Sequence, residues 1–282
     1  MNGRKVSSKR SAVGLSVLSI VVFVILMFPI YWIVVTSLKK EIEIFKVPPT
    51  LVPHELNLDS YVAQLKHGDF NMFGSFKNSF IISASTMLIS LVLAIPASYG
   101  IARFKFKGKR VFLLSFLVTQ MLPVSVLLTP MFIMFRNAHI LNTQLSPILA
   151  DATIGIPFSV LILIGYFASI PRELEDASRI DGCNRFSAFL SVFLPIAMPG
   201  VVVCVVFSFL YGWGDLAYGM TFLQDQVMRP ITAGIFNFMG QYGTKWSYLT
   251  AFAVVTIAPV VLIFVFMQNY IISGLTSGAI KG

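Results

Sequence analysis

Residues 11–38 read SAVGLSVLSIVVFVILMFPIYWIVVTSL, 28 residues without a single Asp, Glu, Lys or Arg. A helix rises about 1.5 Å per residue, so roughly 20 such residues cross a bilayer core about 30 Å thick. Five further charge-free runs follow, 78–102, 111–135, 152–171, 186–214 and 246–280, of 25, 25, 20, 29 and 35 residues. Charged residues make up 12% of the 282-residue chain and hydrophobic ones 56%, where an ordinary soluble domain carries about 25% charged residues. A soluble enzyme is excluded. The two-residue alternation of an outer-membrane barrel strand is absent, so the runs are helices. The expectation is an all-α polytopic membrane protein with six transmembrane helices.

Orientation follows from the charges around the runs. Arg4, Lys5, Lys9 and Arg10 precede the first run with no acid among them, and that run is too long for a signal-peptide core, so it reads as an uncleaved anchor. Six crossings put the N-terminus, the loop 103–110, the loop 172–185 and the tail with Lys281 on one side. That side holds 13 basic residues against 4 acids, and the other holds 8 of each. The excess predicts cytoplasmic termini, with Lys105 and Asp181 inside and Asp59, Asn142 and Gln241 outside. In the outside segment 39–77, Pro48, Pro49 and Pro53 precede a short amphipathic helix at Tyr61, Val62 and Leu65. The inside loop 103–110 has five basic residues and no acid, which favours topology and phospholipid contact over partner binding. A pI near 9.6 is explained by these flanks, not by a nucleic-acid-binding face. Cys183 and Cys204 lie on different elements and form neither a metal spacing nor a disulfide framework.

The runs are poor in chemistry. An ionisable group at mid-bilayer is costly and is kept for use, yet the nearest candidate, Asp215 beside Trp213 and Gly214, falls close to the outer interface. It reads equally as a headgroup-level acid or as part of a path. Gln120 and Asn78 are polar groups able to line a path, although intramembrane amides more often bond neighbouring helices. No phosphate-binding loop, zinc-protease helix or nucleophile elbow occurs, and His54, His67 and His139 fall outside the runs. If the chain transports, its energy comes from elsewhere.

The segment 171–195, PRELEDASRIDGCNRFSAFLSVFLP, is longer and more acidic than a turn. Pro171 suits a first helical turn, and Glu173, Glu175 and Asp176 complement the positive end of a helix dipole. Gly182 permits a break. Phe186, Phe189, Leu190 and Phe193 then recur at i, i+3, i+4 and i+7, an apolar stripe. The pattern predicts a hairpin of two short helices on the inside face, either a docking knob or a solvated connector.

This segment resembles the EAA loop of binding-protein-dependent ABC importers. Asp176-Ala177-Ser178 stands for the Glu-Ala-Ala triplet, Asp181-Gly182 for the usual Asp-Gly, Val192 for the apolar position and Leu194-Pro195 for the close, all in register. Asp replaces Glu and Ser replaces the second Ala. Most of the chain is similar to the second membrane subunit of maltose-type sugar importers, through Val47-Pro48-Pro49, Asn78-Ser79, the basic loop after Arg103 and the ending 274–282. Trp213-Gly214-Asp215 stands where that family has Trp-Asn-Asp. The resemblance implies a type I ABC importer permease fold in a bacterial or archaeal plasma membrane. It divides the chain into 1–72, a permease core 73–270 with the EAA loop at 171–195, and a tail 271–282.

The implied subunit is not an enzyme and holds no cofactor, with ATP and Mg on its partners. Those partners are a homologous permease, two identical or different ATP-binding subunits, an extracytoplasmic sugar-binding protein and membrane lipid, with no nucleic acid. Glu175, Asp176, Ala177, Ser178, Asp181, Gly182, Leu194 and Pro195 would couple to the ATPase, either Glu175 or Asp176 making the main contact. Asn78, Gln120, Trp213 and Asp215 would lie on the substrate path. Phe236, Phe238 and Met239, on a Gly-punctuated outside loop, would reach the binding protein. A polyamine or glycerol phosphate permease would share the loop but should carry charged groups in the path. An intramembrane enzyme would need a nucleophile and base inside the spans, and an ATP-independent channel would leave the hairpin nothing to dock.

Overall fold

The run that opens the chain forms one helix, α1 (Gly3–Ser37), in a computed structural model that describes residues 3–66, 72–240 and 243–279. Gln241, Lys281 and His67, used above in the reading of topology and histidines, lie outside the described residues. Short helices α2 (Glu41–Ile44) and α3 (Asp59–Lys66) follow, the latter on the amphipathic stretch expected after the prolines. Then come α4 (Met72–Arg103), α5 (Lys109–Met121), α6 (Val124–Asn137) and α7 (Leu145–Ser169). The hairpin holds α8 (Glu173–Ile180) and α9 (Arg185–Ala188), a π-helical turn Phe189–Phe193 and α10 (Leu194–Ile196). The chain continues through α11 (Met198–Gly214), α12 (Ala217–Phe222), α13 (Ile231–Gly234) and α14 (Trp246–Ala279).

Four stretches are long and apolar enough to cross a membrane as single helices: Val13–Ser37, Met72–Arg103, Leu145–Ser169 and Trp246–Gln268. The third and fifth runs are broken. Lys109–Met121 and Val124–Asn137 meet at 101°, and Arg185–Ile196 and Met198–Gly214 at 75°, which makes six spans when each bent pair is counted as one. The first break has a direct cause: Leu122 precedes Pro123 and is held extended (φ −75°, ψ 123°), because the proline ring disfavours the helical conformation before it. At the second, Ala197 separates Pro195 from Pro199, each in the first turn of a helix.

The described residues group into two units, 1–67 with 235–257 and 68–234 with 258–282. In the second, α4, α7 and α11 form the centre, and small residues set their spacing. Ser79, Ser83, Thr86 and Ser90 of α4 are buried, as are Gly155 and Ser159 of α7 and Gly200, Cys204, Ser208 and Gly212 of α11. The Ser159 and Ser208 hydroxyls stand 3.3 Å apart, and the Cys204 thiol donates to the Ser159 carbonyl at 3.7 Å. Where helices pack in lipid without a hydrophobic driving force between them, such stripes gain close backbone approach and hydroxyl bonds. α5 packs on α7 but has no buried residue, so it forms an outer wall.

In the first unit, an acid from far along the chain caps the last long helix. Glu41 accepts from the Trp246 amide (2.9 Å), the Ser247 amide (3.0 Å) and the Ser247 hydroxyl (2.7 Å), satisfying donors that the first turn of α14 leaves without a partner. Partial burial raises the Glu41 carboxyl, but these three bonds outweigh it and hold it below its ordinary 4.5. A lowered carboxyl adds stability that is complete above the ordinary value and is lost as pH falls through the lowered one. Glu41→Gln is therefore expected to melt lower than the parent at pH 6, by about 1–3 kcal/mol for a charge-assisted cap. The difference should shrink as the pH drops below 4.5, as thermal unfolding of both proteins across that range would show. A difference independent of pH would remove the capping role.

Candidate functional site

The hairpin's first helix, α8, opens with three acids where the dipole favours them and closes on glycine. Gly182 adopts φ 83°, and the amides of Gly182 and Cys183 bond back to the carbonyls of Arg179 and Ser178. The left-handed turn this requires is open to glycine at little cost. Asn184 then accepts from the Ser187 amide at 2.8 Å and starts the second helix.

The base of the hairpin is tied down and its tip is bare. Ser178 is buried and its hydroxyl donates to the Glu175 carbonyl, while Asp176, Ala177 and Asp181 are exposed and Ile180 is 86% exposed. Glu175 pairs with Arg179 of its own helix at 3.3 Å. Such an exposed i,i+4 pair contributes only about 0.3–0.5 kcal/mol, so either member is readily given to another partner. At the base, the Tyr99 ring lies 4.8 Å from Phe189, 5.3 Å from Phe193 and 5.6 Å from Phe167, and the Arg103 guanidinium sits 4.4 Å over Phe193.

The apolar stripe read from the sequence therefore splits. Phe189 and Phe193 pack on α4 and α7, whereas Phe186 is 69% and Leu190 46% exposed. The π turn at Phe189–Phe193 departs from the 3.6-residue period on which the stripe was drawn. Leu194 packs at the edge of the core and Pro195 is exposed. The residues 175–182, 194 and 195 thus belong to one hairpin, with its acids outward and its aromatic root fixed between two long helices.

The four polar candidates higher in the bundle are engaged in packing. Asn78 donates to the Val227 carbonyl at 2.7 Å and accepts from the Gln144 amide at 2.8 Å. Gln120 donates to the Ile154 carbonyl at 2.8 Å, joining α5 to α7. Trp213 is buried, edge-on to Phe76 and stacked on Phe209. Asp215 caps α12 by accepting from the Tyr218 and Gly219 amides at 3.1 and 2.8 Å, and its own carbonyl accepts from the Thr232 hydroxyl. Ser79 and Asn142, which were not among the path candidates, fasten the same segment, accepting from the Ile231 amide (2.8 Å) and the Asp225 amide (2.9 Å).

The expectation that the spans are nearly free of ionisable groups needs one correction. α7 starts at Leu145, seven residues before the charge-free run, so Asp151 lies inside the span. It is fully buried, and neither carboxylate oxygen has a hydrogen-bond partner among the described residues. It faces the α4–α11 contact, where a carbon added to Gly212 would stand 3.6 Å from Oδ2. A span drawn by stopping at the first charge excludes such a residue by construction. The readable signal was the four-residue register Asp151, Gly155, Ser159, which keeps the acid on the packing stripe.

On the loop before α14, Phe236 and Met239 are exposed, whereas Phe238 lies 5.3 Å from Phe252 and 6.1 Å from Tyr248. A two-residue ladder pairs Met239 with Thr244 and Gly240 with Gly243. Phe238 anchors the loop and its neighbours are presented.

Comparison with known proteins accords with this architecture. Residues 90–277 match the family described as "Binding-protein-dependent transport system inner membrane component". The chain is 31% identical over 277 residues to the "Diacetylchitobiose uptake system permease protein DasC" of Streptomyces coelicolor, covering 97% of this chain and 100% of that one. It is 32% identical over 256 residues to the "Sulfoquinovosyl glycerol transport system permease protein SmoH" of Agrobacterium fabrum, covering 91% and 89%. In fold it is similar to a chain of a bacterial ABC transporter involved in import of the acidic polysaccharide alginate, with a TM-score of 0.80 at 19% identity over 94% of this chain and 97% of that one. With its long apolar helices, two broken spans and rooted acidic hairpin, the chain belongs to the inner-membrane components of binding-protein-dependent ABC transport systems.

Proposed function

We propose that this subunit forms, together with a homologous permease, the path for a mono- or oligosaccharide delivered by an external binding protein, and couples that path to cytosolic ATPases through α8. The observation that carries the reading is the hairpin itself: bare acids at Asp176 and Asp181 beside exposed Ile180, on a root fixed to α4 and α7. The subunit is not catalytic; ATP and Mg belong to the partner ATPases. The positive-inside bias puts both termini and the hairpin in the cytoplasm and the 235–245 loop outside, where Phe236 and Met239 meet the binding protein. Two relatives named for glycosides support a sugar as the solute.

Alternating access needs contacts that differ between two states. A stiff lever on a packed root supplies them: displacement of α8 is delivered through Phe189 and Phe193 to Tyr99 on α4 and Phe167 on α7. Uptake of labelled solutes by cells with and without the gene tests the substrate class. Loss of uptake of a saccharide, with polyamine and glycerol phosphate uptake unchanged, is the expected result. Loss confined to either of the latter two would overturn the sugar assignment.

A further inference from the structure

We propose that the end of α4 carries a binding site for an anionic phospholipid, with an acyl chain in an apolar groove and the headgroup phosphate on the basic residues at its rim. Two adjoining grooves of about 400 and 260 Å³ share Pro96 in their walls. The larger runs past Gly100 between Phe104, Phe106 and Phe112, and the smaller reaches Arg185 at the foot of the hairpin. The larger groove adjoins α5, the outer wall that has no buried residue and exposes Val111, Phe112 and Leu114, so it opens where lipid chains lie.

The rim has the complementary charge. Residues 103–110 contain five basic side chains and no acid, and Lys105 and Lys107 are exposed. The Arg185 guanidinium lies 5.6 Å from the Phe104 ring centre, beside both grooves. Neither it nor Arg103 has an ion pair among the described residues, and two Arg103 nitrogens are buried without a hydrogen-bond partner. Aromatic walls leading to unneutralised cations at a membrane interface fit a lipid and not a free phosphate, which has nothing to place in the groove. Gly100 makes the groove testable, because a carbon added to it meets nothing within 4 Å. A larger side chain there fills the groove without disturbing the core.

The test uses the full-length subunit, purified with whatever assembles on it and placed in nanodiscs that contain trace photoactivatable phosphatidylglycerol or the matched phosphatidylcholine. Labelled peptides are mapped by mass spectrometry. Phosphatidylglycerol is expected to label residues 96–116 preferentially, by about fivefold for each basic side chain engaged. Gly100→Leu should abolish that preference, and Arg185→Gln with Lys105→Gln and Lys107→Gln should bring the two lipids level. Equal labelling by both lipids in the parent would reduce the site to a generic lipid face and overturn the proposal. Absence of label, with a neighbouring polypeptide cross-linked at Gly100→Cys, would assign the groove to a protein partner and overturn it equally. A Gly100→Leu subunit that melts like the parent shows that any lost labelling comes from the groove.

Discussion

Gly200→Leu and Gly212→Leu are expected to destroy the central packing and leave little assembled protein in the membrane. A carbon on Gly200 would fall 2.4 Å from Cδ2 of Tyr166 and 2.6 Å from Cγ, atoms near the root of the ring, so the whole Tyr166 side chain must leave its place on α11. A carbon on Gly212 would stand 3.1 Å from the Ser83 Cα, so backbone must part from backbone. Overpacking of a close-packed interior costs about 1–3 kcal/mol for added methylenes, and leucine adds three carbons beyond the one that already collides. The expected loss is at or above the top of that range. Gly165→Ala is the control, since it lies on α7 with nothing within 4 Å and gains helix propensity. Detergent-solubilised abundance and melting temperature provide the readout, with drops of more than ~5 °C for the first two and no drop for the third. Normal melting of Gly212→Leu would mean that α11 and α4 do not approach as described.

Reversing the hairpin's acids is expected to stop transport without harming the fold. Asp176 is exposed and Glu175 gives up only a weak pair with Arg179, so Glu175→Lys with Asp176→Lys removes little internal stability. At a desolvated interface, truncating one member of a charge pair costs about 2–5 kcal/mol, and reversal adds repulsion. Co-purification of the ATPase and sugar uptake should therefore fall to below about a tenth of the parent level. Gly182→Leu probes shape instead of charge. Its φ of 83° costs a non-glycine residue about 1–2 kcal/mol, which tilts α8 against its root or melts its end. Uptake is expected to drop while the acids stay in place. A connector tolerant of both changes, with uptake unaltered, would end the lever assignment.

Which parts of this molecule could be read from sequence follows from what each signal measures. Charge-free length finds a span wherever the helix lies in lipid, so α1 and α14 were plain, each opening or closing within a few residues of its run. The same measure failed at Asp151, because a bundle interior accepts a buried acid that a run-length rule treats as a boundary. It also passed over the breaks at Leu122 and Ala197, since a bend of 101° or 75° changes no residue's hydropathy. The prolines marked both places.

The hairpin was legible for a different reason. Acids in the first turn of a helix and a glycine after it are local chemistry, and local chemistry survives without knowledge of the neighbours. Its root was less so. That Phe193 is buried and Phe189 half-buried against the core, while Phe186 and Leu190 face out, depends on a π turn and on Tyr99, some ninety residues earlier, which no pattern within the hairpin encodes. Asn78, Gln120, Trp213 and Asp215 were found as polar or aromatic exceptions, but the first three take distant carbonyls and a distant ring as partners, and Asp215 caps the short helix that follows it. Sequence gives the exception and only the fold gives its use.

The most direct measurement of the coupling claim is site-specific cross-linking from α8 in the assembled transporter. In a background with Cys183 and Cys204 replaced, single cysteines at Asp176, Ile180, Leu216 and Met239 are treated with a short bifunctional thiol reagent on membranes containing all subunits. The account predicts that the first two join to the ATPase, that the yield changes when ATP is bound but not hydrolysed, and that the last two never do. Cross-links to the ATPase from Met239 and none from Asp176 or Ile180 would contradict both the coupling role of the hairpin and the side of the membrane on which it stands.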